Sequence, residues 1–136
     1  MFNNSIIHII QVNSEADIYV ALGKLRSLIG SYFDEMDRQK ILVSASELLR
    51  NILDHADAKG TFKCRLLYSD SKIGVQIKAV DYGPGIVDVG KIFEGERNPA
   101  SEGLGIGLSS VRRLMDEFCI DTSPAGTIVT SVKWLK

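Results

Sequence analysis

Residues 80–86 read VDYGPGI, and this segment places a carboxylate at the end of an apolar, alternating run. Asp81 has the parity of the apolar residues before it, which are Ile73, Val75, Ile77 and Ala79. If the strand extends to Asp81, the carboxylate points to the buried side of the sheet. A buried carboxylate needs a hydrogen-bond donor. That donor is either the backbone of the turn before Gly83 or a ligand, such as the amino group of a purine.

The loop after Asp81 has few side chains. Gly83 and Gly85 would let the backbone pass close to a flat ring, and Pro84 would stiffen the loop between them. This pattern favours the ligand hypothesis for Asp81, while a simple turn remains the alternative.

A second glycine cluster, GLGIGL, contains Gly103, Gly105 and Gly107 and precedes a helical pattern. It lacks the third glycine of a dinucleotide fingerprint and the Gly-Lys-Ser/Thr of a P-loop. The free N–H groups and the dipole at the start of a helix nevertheless favour an anion such as phosphate. The alternative is a plain turn before a helix.

A third candidate lies in the segment ASELLRNILDHA. Glu47 and Asn51 are four residues apart, so they share one face of the predicted helix beside its apolar stripe. Both carry oxygen atoms suited to a hard cation such as Mg²⁺, directly or through water. The alternative is a solvated helix face with one side-chain hydrogen bond.

Hydrophobic periodicity predicts the elements that would position these residues. The predicted order is a strand at 6–12, helices at 14–30 and about 34–56, strands at 61–68 and 72–81, a helix at 104–118 and a strand at 127–135. Ser14 is expected to cap the first helix, and Gly30 to end it. The Gly-, Pro- and charge-rich loop 82–103 is predicted to contain one helical turn near Val89–Phe93.

This order predicts an α+β fold, a two-layer sandwich in which helices cover one face of a mixed β-sheet. The chain has 136 residues and no linker-like stretch, so we expect a single domain over residues 1–136.

Composition excludes several classes of function. The net charge of -1 favours neither nucleic acid nor an anionic membrane as a partner. No run approaches the ~18 apolar residues of a membrane span, and no secretory signal is evident, so a cytoplasmic protein is expected. Cys64 and Cys119 are expected to be buried thiols, because no zinc-ligand spacing is present.

In order and spacing, these motifs resemble the GHKL ATPase superfamily, named for gyrase, Hsp90, histidine kinases and MutL. ELLRN resembles its N box, DYGPGI its first glycine box, GLGIGL its second, and Gly126–Thr127 its late Gly-Thr element. The resemblance covers residues 44–136 and implies the GHKL, or Bergerat, ATP-binding fold.

The resemblance implies a role for each matching residue. Asp81 would accept a hydrogen bond from the adenine amino group, and Thr127 would join Asp81 and adenine through water. Asn51 would coordinate Mg²⁺, and Glu47 would orient or deprotonate the nucleophile. The remaining implied ATP-binding residues are Gly83, Gly85 and Ile86 of the first box and Gly103, Leu104, Gly105, Ile106, Gly107 and Leu108 of the second.

Within the superfamily, the short chain and the segments GLGIGLSSVRRLMDEF and VKWLK resemble the anti-sigma-factor serine/threonine kinases of the switch type. The resemblance implies an enzyme that uses ATP and Mg²⁺ to phosphorylate a STAS-domain antagonist protein. A PP2C-type phosphatase or a sigma factor would be a further partner, and a homodimer is one possible assembly. Lys91 and Arg97 are candidate cations for the phosphates. The alternative function is a non-catalytic, nucleotide-gated binding module that sequesters a sigma factor.

Overall fold

The computed structural model describes residues 6–55, 60–83, 85 and 104–136, with the backbone alone for 55 and 104–106. Three helices and five strands lie in these residues. They are β1 (His8–Val12), α1 (Glu15–Ile29), α2 (Glu35–His55), β2 (Gly60–Ser69), β3 (Lys72–Asp81), α3 (Leu104–Leu114), β4 (Glu117–Ser123) and β5 (Gly126–Trp134).

The ends of α1 follow the sequence signals. Ser14 is the N-cap, and its backbone N–H donates to the Asp17 carboxylate at 3.0 Å. Gly30 ends the helix with a φ of 47°, and its N–H donates to the Arg26 carbonyl. Helix α2 begins after Asp34, whose carboxylate accepts from the Asp37 N–H at 2.8 Å. The predicted helix ends are confirmed for α1 and for the start of α2, whereas Ala56 lies outside the described residues.

Strands β2 and β3 form the predicted hairpin. Residues 60–69 pair with residues 72–81, and the two turn residues Asp70 and Ser71 have φ values of 47° and 68°. Two positive φ values in a two-residue loop are typical of a hairpin turn that matches strand twist. Phe62, Cys64 and Leu66 are buried on the same side as Val75 and Ile77, as alternation predicts.

The predicted third helix is too long. It ends at Leu114, and Glu117–Ser123 forms strand β4 on the edge of the sheet. Met115 and Phe118 continue the apolar stripe of the helix, which is why the sequence predicted a longer helix. The segment EFCIDTS also alternates with period two, as a strand does. Cys119 is therefore exposed on an edge strand, and its predicted burial is wrong.

The unpredicted strand also changes the sheet. A helix joining β3 directly to β5 would make those strands parallel, but β4 reverses the chain once more. The four pairings in the described sheet, whose order is β1-β2-β3-β5-β4, are all antiparallel. The two-layer α+β class is confirmed, and the predicted mixed character of the sheet is wrong.

The helices cover one face of the sheet. The core between the layers includes Leu25, Leu48, Phe62, Ile77 and Leu108, each at most 2% exposed. On the opposite face, Ile9 and Ile128 are exposed at 58% and 38%. None of the described helices is both long and apolar enough to cross a membrane.

Candidate active site

Asp81 ends β3 on the side of the sheet that faces the helices, and it is partly buried there. Its Oδ1 accepts a hydrogen bond from the Gly83 N–H at 3.0 Å. The turn-capping interpretation of Asp81 is therefore correct for one carboxylate oxygen. Because this contact involves Oδ1 only, it leaves Oδ2 available to a ligand.

Thr127 lies beside Asp81 on the neighbouring strand. The two residues are partners in the pairing of β3 with β5, and Thr127 is only 5% exposed. The Thr127 hydroxyl is 2.8 Å from the hydroxyl of Thr122 on β4. The structure thus places an acid and a pair of hydroxyls together at one end of the sheet.

Two glycines allow this end of the sheet to pack closely. A Cβ on Gly85, whose φ is 83°, would lie 2.0 Å from the Ser123 carbonyl oxygen. A Cβ on Gly126 would lie 2.1 Å from the carbonyl oxygen of Asp81. Close packing against β4 therefore requires glycine at position 85, in addition to any role that this residue has beside a ligand.

Glu47 and Asn51 meet the start of α3. A Cβ built on Gly107 would lie 2.7 Å from Oε2 of Glu47 and 3.9 Å from Oδ1 of Asn51. Both side chains therefore face the second glycine cluster, as their spacing on α2 requires. The structure brings the predicted acid, the predicted amide and one of the predicted glycines into one cluster.

The first turn of α3 supplies the backbone donors. The helix begins at Leu104, so the N–H groups near residues 104–107 have no partner within the helix. Gly105 and Ile106 belong to this turn, whereas Leu108 is 2% exposed and packs in the core. Ile86, Gly103, Lys91 and Arg97, like the predicted turn near Val89–Phe93, lie outside the described residues.

Three polar atoms on α2 are buried with no hydrogen-bond partner among the described residues. They are Nε of Arg38, Oγ of Ser44 and Nδ2 of Asn51. Ser44 is seven residues before Asn51, two helical turns along the same side, and the sequence analysis missed it. Unsatisfied buried polar atoms are rare and often mark a place for a ligand or water.

The donor set fits Mg²⁺ bound together with a phosphate ligand. No cluster of three or more His, Cys, Asp or Glu side chains able to hold a metal occurs among the described residues. Mg²⁺ usually keeps several waters and takes one or two protein oxygens plus substrate phosphates. Asn51 and Glu47 would supply such oxygens.

An exposed ion pair connects α2 to α1 near this site. Both terminal nitrogens of Arg50 contact the Glu15 carboxylate, at 2.6 and 2.8 Å. The hydrogen bond from Arg50 lowers the pKa of Glu15 below its ordinary value, and the same bond raises the pKa of Arg50. Since Arg50 precedes Asn51, this pair joins α1 to the segment of α2 that carries the candidate ligand.

Thr122 is a second residue that the sequence analysis missed. It belongs to the unpredicted strand β4, and its hydroxyl contacts Thr127. The alternation of Phe118, Ile120 and Thr122 with Glu117, Cys119 and Asp121 was the available signal.

The chain matches the family described as the histidine kinase-like ATPase domain over residues 16–133. It therefore belongs to this family, and the resemblance to the GHKL superfamily is confirmed. A curated relative, the serine/threonine-protein kinase RsbT of Bacillus subtilis, is 36% identical over 129 residues, which cover 93% of this chain and 96% of the relative. This match confirms the resemblance to the switch kinases.

A solved structure supports the fold independently. The RsbU and RsbW domains of a Mycobacterium tuberculosis protein match with a TM-score of 0.64 at 17% identity. The match covers 95% of this chain and 32% of that one. At this identity, the likeness concerns the fold alone.

Proposed function

We propose that this chain is an ATP- and Mg²⁺-dependent protein serine/threonine kinase of the switch type. The observation that carries the proposal is the approach of Glu47 and Asn51 to Gly107 at the start of α3. An acid, a cation ligand and a helix N-terminus together suit the transfer of a phosphoryl group. The similarity to RsbT over nearly its whole length supports the same function.

In this proposal, adenine binds at the end of β3. Asp81 accepts a hydrogen bond from the adenine amino group, and Thr127 takes part through a bridging water. Gly83, Gly85 and Ile86 form the loop beside the ring. The partial burial of Asp81 supports this role, because a carboxylate removed from water binds a donor more strongly.

The phosphates bind at the start of α3. Backbone N–H groups of residues 103–107 donate to phosphate oxygens, as helix N-termini commonly do. Mg²⁺, held by Asn51 and the phosphates, would neutralise charge at the reacting phosphoryl group. Nδ2 of Asn51 is buried and has no partner within the described part of the chain, which supports its place in the site.

Glu47 acts on the acceptor. The hydroxyl oxygen of a partner Ser or Thr forms a bond to the γ-phosphorus, and the bond from this phosphorus to the bridging oxygen of ADP breaks. Glu47 orients the hydroxyl and takes its proton. Because Glu47 lies one helical turn from Asn51, one side of α2 serves both the cation and the acceptor.

The proposed substrate is a STAS-domain antagonist protein. Phosphorylation adds about two negative charges to its surface, which can separate it from the kinase. The released kinase would then bind a PP2C-type phosphatase or a sigma factor. This sequence of events is what the resemblance to the switch kinases implies.

The test is phosphotransfer from labelled ATP to a panel of STAS-domain proteins from the same genome. Glu47→Gln should keep ATP binding and lose about 10²–10⁴-fold in rate, the usual effect of a general base. Asp70→Asn, an exposed change in the turn between β2 and β3, is the matched control and should leave the rate unchanged. If the wild-type protein binds ATP and a partner yet transfers no phosphate, the non-catalytic binding module takes the place of the kinase.

A further inference from the structure

An open groove lies between α2 and the end of α3, with a volume of about 680 Å³. Its lining consists of Glu35, Met36, Gln39, Lys40, Val43 and Leu114. Met36 and Val43 are 68% and 44% exposed, although both are apolar. The surface that this groove presents is almost wholly apolar, since Lys40 lines it with its aliphatic stem.

The groove is continuous with the candidate active site. On α2, Met36, Lys40, Val43 and Glu47 are spaced by four, three and four residues, so they form one stripe along the helix.

The groove is also continuous with the candidate active site along α3. Gly107 faces Glu47, and Leu114 lines the groove seven residues later. Seven residues back from Glu47 is Lys40, which also lines the groove. Val43, the lining residue nearest to Glu47 on α2, is four residues away, or about 6 Å along the helix, and the seven residues from Gly107 to Leu114 span about 10 Å on α3.

A buried lysine fixes the groove. Lys133 is 3% exposed, and its Nζ donates to the Leu114 carbonyl at 2.9 Å. The same ammonium group lies 3.9 Å from Oδ1 of Asp37 on α2 and 3.4 Å from Oδ1 of Asp116. These contacts tie the end of α3 to the start of α2, so the groove is formed before a partner arrives.

We propose that this groove is the docking site of the protein substrate, an inference that rests on the proposed kinase function. The substrate places an apolar side chain in the groove, roughly 6–10 Å from the hydroxyl that it presents to Glu47. Continuity with the reacting centre favours this occupant, because a protein acceptor must lie against the surface beside Glu47 while its hydroxyl reacts. A rigid apolar contact there aligns the acceptor before transfer.

The experiment compares Met36→Glu and Val43→Thr with the wild type. Val43→Thr keeps the side-chain shape, and Met36→Glu places an acid in the first turn of α2, where the helix dipole favours it. The control is Val20→Glu on α1, where Val20 is 52% exposed and away from the groove. The assay uses the STAS-domain protein that the wild type phosphorylates most efficiently.

The groove variants should raise the KM for the protein substrate, by about tenfold for Met36→Glu. Their kcat at saturating substrate and their affinity for ATP should stay at wild-type values. Val20→Glu should change none of these quantities. This pattern separates docking from chemistry, since loss of Glu47 lowers kcat instead.

Three outcomes overturn the inference. If KM is unchanged in both groove variants while the wild type is active, docking in the groove is wrong and the kinase function stands. If sedimentation shows a wild-type dimer that Met36→Glu dissociates without a change in KM, the groove is a contact between subunits. If the wild type phosphorylates no member of the panel, the proposed function fails and the docking inference falls with it.

Discussion

The Glu47 carboxylate occupies the space beside Gly107 that the Cβ of any other residue would need. A Cβ at position 107 would lie 2.7 Å from Oε2 of Glu47, closer than real Cβ contacts. The clash involves the end of a flexible side chain and no backbone atom of α2. Glycine is therefore needed at position 107 to leave room for the carboxylate, whereas a turn glycine is needed for its backbone conformation.

Gly107→Ala should reduce phosphotransfer without unfolding the protein. The new methyl group displaces the Glu47 carboxylate, and a misplaced catalytic group of this kind can cost about 10²-fold in rate. Gly23→Ala on α1 is the matched control, because a Cβ there meets no atom of the described residues within 4 Å. It should stabilise the fold by about 0.5–1 kcal/mol and leave the rate unchanged. Kinetics and thermal unfolding of both variants check this, and full activity in Gly107→Ala would contradict it.

Asp81→Asn should weaken ATP binding while keeping the turn. The Asn side chain retains the oxygen that accepts from the Gly83 N–H, but it replaces the second carboxylate oxygen by an NH₂ group. We expect a loss of about 1.5–3 kcal/mol in binding free energy, the worth of a charged hydrogen bond. Calorimetry with ATP measures this loss. We also expect the wild type to bind GTP more weakly than ATP, because guanine carries a carbonyl oxygen where adenine carries its amino group, and the substitution should not weaken GTP binding in parallel. An unchanged ATP affinity would exclude Asp81 from adenine recognition.

Asn51→Ala should weaken the dependence of ATP binding on Mg²⁺. Its amide nitrogen has no partner among the described residues, so the substitution should disturb the fold little. Ser44→Ala is a matched control, since it removes another buried polar atom of α2 that has no partner among the described residues. ATP titrations at several Mg²⁺ concentrations should differ from the wild type for Asn51→Ala alone. Identical Mg²⁺ dependence in all three proteins would show that Asn51 is not a ligand.

Much of the site could be predicted because its residues follow regular patterns. The parity of Asp81 with Val75 and Ile77 placed its carboxylate on the helix side, where the structure has it. Helical spacing placed Glu47 and Asn51 on one side of α2. Local periodicity is enough for such residues, since their direction depends on their own element.

Strand β4 could not be predicted in this way. Residues 115–118 fit a helical stripe as well as an alternating strand, and pairing with β5 decides between the two. Thr122 and the antiparallel direction of β5 depend on that pairing. The closeness of Gly107 to Glu47 depends on how α2 packs against α3, which no single segment specifies.

The buried thiol of Cys64 should make stability fall at alkaline pH. Burial raises the pKa of Cys64 from its ordinary value of 9.0 to about 11. As pH rises, the unfolded chain therefore loses the thiol proton before the folded chain does. The contribution of the protonated thiol to folding stability is complete below about pH 9 and is lost as pH rises through 11. The loss is at most about 1.4 kcal/mol per pH unit.

Urea unfolding between pH 8 and 11, in reductant, measures this effect. Cys64→Ala should remove the part of the alkaline loss of stability that comes from ionisation of this thiol. The variant should nevertheless be less stable than the wild type at pH 8. Cys119→Ala is the control, because that thiol is exposed on β4, and it should keep the wild-type dependence. Equal alkaline slopes in the wild type and Cys64→Ala would contradict the prediction.

Lys133→Met should destabilise the fold, because the buried ammonium group joins three elements. It donates to the Leu114 carbonyl at the end of α3 and lies between Asp116 and the first turn of α2. Methionine fills the same volume but leaves that carbonyl and two carboxylates without their cation. Both carboxylates are partly exposed, at 18% and 24%, so water compensates in part. We expect a loss of about 1.5–3 kcal/mol in the free energy of unfolding.

Lys72→Met, at an exposed position in the β2–β3 hairpin, should cost less than about 0.5 kcal/mol. Urea unfolding at pH 7 compares the two variants, and equal stabilities would show that the contacts of Lys133 contribute nothing beyond packing.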